Sequence, residues 1–298
     1  MKLPPPLQKG DTIALASPAR FVNPAEVEHF VRFAAQSGWN VRLEEACFAI
    51  YNQFGGTDEQ RAAHLQALID DPEVKAVFCS RGGYGTLRIL DKLRFETMLQ
   101  HPKWLVGFSD ITVLHAKLQS LGIASLHAPM PFNFGPDDED LFTALKLCLE
   151  GRHSSLTIAP HPLNINGQAT GELVGGNLSI LYALKGSDNL PGMKGKILFI
   201  EDVDEYLYHI DRMMLSLKRA GIFEDLTGML VGAFTDIKDN AVPFGLTAEE
   251  IIREHVAGYD FPLCFGFPAG HISRQQPMLL GARSALEVSE KGSFLRYF

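Results

Sequence analysis

The first half of the chain alternates between short apolar runs and segments with a helical hydrophobic period. The apolar runs predict strands at 12–17, 41–43, 74–80 and 104–108. Between these runs, apolar residues recur every three or four positions, which is typical of amphipathic helices. The helices are predicted from Asn23, from Thr57, over 85–93, from Ile111 and over 137–149. Strands that alternate with helices over short connections predict a parallel sheet covered on both faces.

The second half has a different pattern. Residues 151–170 are rich in Ser, Pro, Asn and Gly and lack a helical period. We therefore predict a domain of residues 1–150, a linker over 151–170 and a second domain of residues 171–298. In the second domain, strands are predicted at 196–200, 229–234, 263–267, 278–280 and 285–288, and helices at 178–184, 206–220 and 247–256. The last three strands have little helix between them, which indicates a mixed, barrel-like sheet.

Composition argues against several classes of protein. The 298 residues carry a formal net charge of −8, which disfavours nucleic acid or an anionic membrane as the main partner. No apolar run approaches the roughly 20 residues of a membrane span. The four cysteines are widely spaced with no C-x-x-C, so we expect reduced thiols in a cytoplasmic protein.

Ser109 occupies a turn between a predicted strand and a predicted helix. The apolar run 104–108 ends directly before it, and apolar residues from Ile111 to Leu121 then mark one helix face. A serine at such a turn projects its hydroxyl above the carboxyl end of the strand, where the first free N–H groups of the helix can receive an oxyanion. The alternative is that Ser109 only caps the helix, because serine is a favoured N-cap residue.

Three loops leave the predicted strands at the edge of the sheet where ligands bind in this class of fold. They are 17–20, 81–85 and 108–110, and the middle one lies in the segment S-R-G-G-Y-G. Glycines let the backbone approach a ligand closely and leave N–H groups free to point at it, although a plain tight turn is the alternative. The loop is neither G-x-G-x-x-G nor a P-loop, so the sequence predicts no nucleotide site.

Glu201 and His271 are two further candidates for chemistry. Glu201 directly follows an apolar strand, in F-I-E-D-V-D-E, where a carboxylate can orient a base. A helix cap or a solvent-facing acid is the alternative for Glu201. His271 lies in the loop F-P-A-G-H-I-S-R-Q-Q-P and can act as a general base near pH 7. A histidine that is simply part of a loop or core is the alternative for His271.

Other catalytic motifs do not occur in the sequence. There is no H-E-x-x-H and no histidine begins H-x-x-E, so we expect no metal and no zinc peptidase. No serine begins S-x-x-K, which leaves the penicillin-binding type of serine enzyme unsupported. Cys79 precedes the glycine loop, but its place at the end of a buried strand favours a packed thiol over a nucleophile.

Five segments together resemble the LD-carboxypeptidases, which are serine peptidases of the muramoyltetrapeptide carboxypeptidase type. They are V-F-C-S-R-G-G-Y-G-T-L-R (77–88), G-F-S-D-I-T-V-L-H (107–115), V-G-G-N-L (174–178), F-I-E-D-V-D-E (199–205) and G-H-I-S-R-Q-Q-P-M-L-L-G-A (270–282). The resemblance covers nearly the whole chain in order, and it implies a Rossmann-like N-terminal domain, a barrel-like C-terminal domain and a homodimer. The active site would lie at the interface of the two domains.

The resemblance also implies roles for individual residues. Ser109 would be the nucleophile, His271 the base and Glu201 the acid that orients it, with an oxyanion hole formed by N–H groups of Asp110 and of the loop around Gly83. Residues expected to contact the substrate are Arg81, Tyr84, Asn177 and Arg274. An arginine suits a free terminal carboxylate by its bidentate fork, and Arg81, Arg88 and Arg274 are the candidates near the loops.

Release of D-alanine from peptidoglycan tetrapeptides in murein recycling is the activity that the resemblance implies, without a cofactor. Relatives that confer immunity to peptidyl-nucleotide antibiotics share the triad, so cleavage of such compounds is an alternative. A non-catalytic small-molecule binding protein on the same scaffold is another. Position 111 is Ile, so the turn is not G-x-S-x-G, which is usual for the family. The segment Q-Q-P-M at 275–278 departs from the residues that many relatives carry there.

Overall fold

The computed structural model describes residues 1–153 and 155–298, which form two β-sheets and the helices around them. The strands are β1 (Thr12–Ala16), β2 (Asn40–Arg42), β3 (Val74–Cys79), β4 (Trp104–Gly107), β5 (Ser125–His127), β6 (Leu156–Ile158), β7 (Gly167–Asn177), β8 (Lys196–Val203), β9 (Gly228–Thr235), β10 (Leu263–Cys264), β11 (Met278–Leu280), β12 (Arg283–Ser289) and β13 (Gly292–Tyr297). The α-helices are α1 (Glu28–Gln36), α2 (Asp58–Asp70), α3 (Thr86–Ile89), α4 (Glu96–Gln100), α5 (Thr112–Ser120), α6 (Glu139–Leu149), α7 (Leu178–Leu184), α8 (Leu207–Arg219) and α9 (Ala248–Val256).

The first sheet has the order β11-β5-β4-β3-β1-β2, and all its strands except β11 are parallel. Successive residues of β1 face opposite sides of the sheet. Ile13 and Leu15 pack with α1 and α6, whereas Ala14 and Ala16 pack with α2 and α5. The prediction of a parallel sheet covered on both faces is therefore confirmed.

The second sheet has the order β10-β9-β8-β7-β12-β13-β6. Strands β7 to β10 are parallel, and β12, β13 and β6 are antiparallel to their neighbours. The sheet is mixed as predicted, but among the described residues it is open and does not close into a barrel. Strand β10 has two residues, and its outer edge forms a bridge between Leu263 and Ile165, so this edge does not reach β6.

Several strands differ from the prediction. Strands β5, β6, β7 and β13 were not predicted, and β6 lies within the segment expected to be a linker. The strand predicted at 278–280 forms as β11, but it pairs with β5 and so completes the first sheet. The choice of partner strand depends on residues far away in sequence, and the local hydrophobic pattern carries no information about it.

Two contacts join the sheets next to Ser109. Helix α5 packs against β7 and α7. The Asn177 backbone N–H donates to Thr112 Oγ1 at 3.0 Å, and a Cβ on Gly176 would lie 2.5 Å from the same oxygen. The helix after Ser109 is thus held against the strand next to β8, which carries Glu201. Within the described residues, no helix combines the length and the apolar character needed to cross a bilayer.

Candidate active site

Ser109 lies in a strained turn between β4 and α5. Its φ is 64°, a left-handed conformation that costs a non-glycine residue roughly 1–3 kcal/mol. Phe108 occupies the N-cap position of this turn, and no side-chain capping bond forms there within the described residues. The Ser109 hydroxyl instead lies 3.1 Å from His271 Nε2. The interpretation of Ser109 as only a helix cap is therefore wrong.

His271 links Ser109 to Glu201. Its Nδ1 lies 2.6 Å from Glu201 Oε2, and the Glu201 side chain is fully buried at the carboxyl end of β8. Gly270 has a φ of 110°, and a Cβ there would lie 2.8 Å from Glu201 Oε2. Glycine before His271 therefore lets the carboxylate approach the ring. The chain brings together three side chains whose two contacts span 162 and 70 positions of sequence.

The surroundings of His271 shift its pKa upward. Burial lowers the pKa, but the hydrogen bond that His271 donates to Glu201 and the charges of Glu201 and Asp202 raise it, and the net direction is above its ordinary value. Burial and the charge of Glu201 raise the pKa of Asp202 to about 7.

Phe108 packs its ring 4.9 Å from the imidazole of His271. A second imidazole, that of His127, is neutral. Its pKa is lowered mainly by burial and further by the charges of His115 and His271.

A cleft of about 430 Å³ opens above these groups. Its lining includes Ser109 and His271, the glycine loop and residues from the ends of β7 and β8. The lining residues are Arg20, Arg81, Gly82, Gly83, Phe108, Ser109, Asp110, Met130, Phe132, Asn133, Asn177, Ser179, Ile180, Asp202, Val203, Asp204 and His271. A larger cavity of about 630 Å³, near Pro5 and Lys103, contains none of these residues.

The glycine loop lies against Ser109. A Cβ on Gly82 would lie 3.0 Å from Ser109 Cβ, so the backbone of the loop reaches the hydroxyl only because residue 82 has no side chain. The Asp110 carboxylate accepts the Thr86 N–H at 2.8 Å and thereby ties the end of the loop to the Ser109 turn. Burial raises the pKa of Asp110, while the bonds to Thr86 oppose this shift.

Of the residues expected to contact substrate, Arg81 and Asn177 line the cleft. Arg81 stacks over Phe132 at 3.9 Å and lies 3.9 Å from Glu26. The Asn177 side chain accepts the Ile180 N–H and so caps α7. Its Nδ2 donates to Asp202 Oδ1 at 2.8 Å. Asn177 thus connects the start of α7 to Asp202 in the wall of the cleft.

Tyr84, Arg88 and Arg274 lie outside the lining of the cleft, so contact of Tyr84 or Arg274 with substrate stays a prediction. Tyr84 stands between two glycines with left-handed backbones and packs near Phe54, with 49% of its surface exposed. Arg88 is paired with Asp58 at 2.8 Å. Arg274 is exposed and lies 3.6 Å from Asp140.

Arg20 and Asp202 line the cleft and were not singled out from the sequence. Both had a signal. Arg20 ends the 17–20 loop, one of the three at the carboxyl edge of the first sheet, and Asp202 directly follows Glu201. The alternative nucleophile, Cys79, is fully buried, and burial raises the pKa of its thiol far above the ordinary value. In the part of the chain that the structure describes, no three His, Cys, Asp or Glu residues are grouped to hold a metal ion.

Comparisons with known proteins cover most of the chain. The family model for the LD-carboxypeptidase N-terminal domain matches residues 12–128, and the model for the C-terminal domain matches residues 170–286. A probable murein peptide carboxypeptidase of Bacillus subtilis is 36% identical, over 97% of this chain and 92% of its own length.

Solved structures have the same fold. The muramoyltetrapeptide carboxypeptidase of Oxalobacter formigenes superposes with a TM-score of 0.87 at 26% identity, over 95% of this chain and 97% of its own. The microcin C7 self-immunity protein MccF in its apo state superposes with a TM-score of 0.88 over the whole of both chains. At 21% identity, the second likeness is one of fold alone.

Proposed function

The chain belongs to the LD-carboxypeptidase family, and from this premise we propose that it is a serine carboxypeptidase that releases terminal D-alanine from murein tetrapeptides. The observation that carries the proposal is the hydrogen-bonded series of Ser109, His271 and Glu201, of which Ser109 and His271 line a cleft. The names of the relatives from Bacillus subtilis and Oxalobacter formigenes support murein peptides as the substrate class.

In the proposed reaction, the Ser109 hydroxyl attacks the carbonyl carbon before the terminal residue, and its proton passes to His271 Nε2. The carbon–nitrogen bond breaks as His271 returns the proton to the leaving amine. A water molecule, deprotonated by the same imidazole, then hydrolyses the acyl-enzyme and restores Ser109. Glu201 accepts the Nδ1–H of His271, so that Nε2 faces Ser109 as the acceptor, and stabilises the imidazolium that forms.

Backbone N–H groups of Gly83 and Asp110 are proposed to hold the oxyanion. Both residues line the cleft with Ser109, and within the described residues neither N–H donates to another group. One such donor stabilises an acyl-transfer transition state by about 3 kcal/mol. The left-handed turn at Ser109 supports this role, since in a strand-to-helix turn of this kind the N–H of the residue after the nucleophile contributes to the oxyanion hole.

We expect strong selectivity for the configuration of the terminal residue. Nucleophile, oxyanion hole and a contact to the terminal carboxylate define three points around the scissile bond. Inverting D-alanine to L-alanine moves its methyl group to the position of its hydrogen, a misfit of about 3 kcal/mol, or about 10²-fold in rate. The measurement gives purified protein matched tetrapeptides ending in D-Ala or L-Ala and follows free alanine by mass spectrometry.

Two further substrates complete this experiment. A pentapeptide ending in D-Ala-D-Ala should be a poor substrate, and a peptidyl-nucleotide should not be cleaved. Comparable release from the L-Ala peptide, or preference for the pentapeptide, would show that the proposed LD specificity is wrong. Cleavage of the peptidyl-nucleotide alone would favour the immunity-type activity instead.

The acid limb of kcat/KM should have its midpoint above about 6.5, the ordinary pKa of histidine. His271 must be neutral to accept the Ser109 proton, so activity is lost as pH falls through its raised pKa. A pH–rate profile on the D-Ala peptide measures this. Asp202 also has a pKa of about 7, so Asp202→Asn is the control, and an acid limb must persist in it. A limb near 4 would argue against His271 as the base.

We also propose that the protein acts in the cytoplasm as a homodimer. The four cysteines are buried and form no disulfide among the described residues, which suits a reducing compartment. The family resemblance supports the homodimer. The net charge of −8 supports a peptide substrate over nucleic acid or an anionic membrane as the partner.

A further inference from the structure

The 17–20 loop reaches the cleft, yet the proposed reaction gives it no role. Its last residue, Arg20, lines the cleft together with Ser109 and His271. The Arg20 backbone N–H donates to Gly82 O at 3.4 Å, and the Gly55 N–H donates to Ala19 O at 3.0 Å. Backbone contacts on both sides therefore fix the base of the Arg20 side chain beside the glycine loop.

Two adjacent glycines, Gly82 and Gly83, lie between Ser109 and Arg20. A Cβ on Gly82 would lie 3.0 Å from Ser109 Cβ, and a Cβ on Gly83 would lie 2.6 Å from Arg20 Cδ. The φ of Gly83 is 108°, so this position is doubly suited to glycine and leaves room for the arginine. The Arg20 side chain thus packs on the backbone of Gly83, the residue after the glycine that contacts Ser109.

The Arg20 guanidinium also has no acidic partner within 4 Å among the described residues. Its one side-chain contact there is to Gln53 Oε1, at 3.4 Å. Arg81, the other arginine of the cleft, is stacked on Phe132 and lies near Glu26. A guanidinium binds a carboxylate through two parallel N–H···O bonds, and among the described residues no carboxylate within 4 Å already occupies the fork of Arg20.

We propose that Arg20 binds the free α-carboxylate of the terminal residue and is a specificity-determining residue of this enzyme. The inference rests on the proposed carboxypeptidase function and deepens it. A cation beside Gly83, in the cleft that Ser109 lines, favours substrates in which a single residue with a free carboxylate follows the scissile bond. A longer leaving group has a neutral amide at that point and gains nothing from the guanidinium.

The experiment compares a D-Ala tetrapeptide with the same peptide carrying a C-terminal amide. A hydrogen bond between two charged groups is stronger than one between neutral groups, and only the acid offers a charged partner. The quantity compared is kcat/KM for the acid divided by kcat/KM for the amide. Arg20→Gln should lower this ratio by about 10–100-fold. Arg88→Gln is the matched control, because Arg88 is paired with Asp58 outside the cleft, and it should leave the ratio unchanged. Melting temperatures of both variants establish that they fold.

An unchanged ratio in Arg20→Gln would overturn the inference, whether both substrates slow equally or neither slows. It would also be overturned if Arg81→Gln, tested alongside, showed the acid-specific loss in place of Arg20→Gln. In these cases the parent protein still releases D-alanine, so the proposed function stands. Failure of the parent protein to release D-alanine from the acid is the distinct result that contradicts the proposed function itself.

Discussion

Replacing Ser109 with alanine should lower kcat for D-alanine release by at least about 10⁴-fold in a protein that still folds. The Ser109 hydroxyl is the proposed attacking group, 3.1 Å from His271 Nε2, and without it no acyl-enzyme forms. Mass spectrometry of free alanine measures the loss. Labelling by a fluorophosphonate probe should disappear in parallel. Ser120→Ala, the same change at the exposed end of α5, is the matched control and should keep both signals.

Non-additivity gives a second test of the same unit. His271→Ala should lose nearly as much activity as Ser109→Ala, and the double variant should be hardly worse. Full activity in a folded Ser109→Ala protein would contradict the assignment. The left-handed φ of 64° offers a structural check. Ser109→Gly should be as inactive as Ser109→Ala but should melt at a higher temperature, because glycine adopts this backbone without strain.

Glu201→Gln should lower kcat by about 10³–10⁴-fold. The carboxylate accepts the His271 Nδ1–H at 2.6 Å, which leaves Nε2 as the acceptor that faces Ser109. A glutamine can present its NH₂ to Nδ1 and so favour the tautomer whose Nε2 already carries a proton. It also removes the charge that raises the pKa of His271, so the acid limb of the residual activity should move to lower pH.

The chain provides a matched control for Glu201→Gln. Glu205 lies four residues on and accepts from His209 Nδ1 at 2.5 Å, outside the lining of the cleft. Glu205→Gln makes the same chemical change in a second Glu–His pair and should leave kcat within about twofold, as is usual for a change away from the site. Equal losses in the two variants, or an unshifted acid limb in Glu201→Gln, would argue that Glu201 acts only through folding.

Local structure followed from local pattern wherever residues a few positions apart interact. Thr57 and Gln60 have the spacing of a capping box, and each side chain does bond the other's backbone N–H, at 3.3 and 2.9 Å. Helix α2 begins at the next residue, Asp58. The turn at Ser109 was also predicted, because the apolar run 104–108 gives way to a spacing of three or four residues from Ile111, which marks where a strand meets a helix.

Features that depend on distant partners were predicted less well. The strand at 278–280 was expected in the second domain, but it pairs with β5 in the first sheet. Strand β5 itself, with three buried residues, is too short for its period to be read. The second sheet is open, with β10 at one edge and β6 at the other, and Leu263 of β10 bridges Ile165, a partner far away in sequence.

The sequence by itself determined the class of fold, the turn that exposes Ser109 and, through the family resemblance, the three residues of the proposed triad. Only the tertiary structure decided that Arg20 reaches the cleft, that Tyr84 and Arg274 do not, and that the pKa of His271 shifts upward. The physical reason is that periodicity reports interactions between near neighbours in the chain. The burial of a side chain, the charges around it and whether it extends into the cleft depend instead on how loops from both sheets pack together.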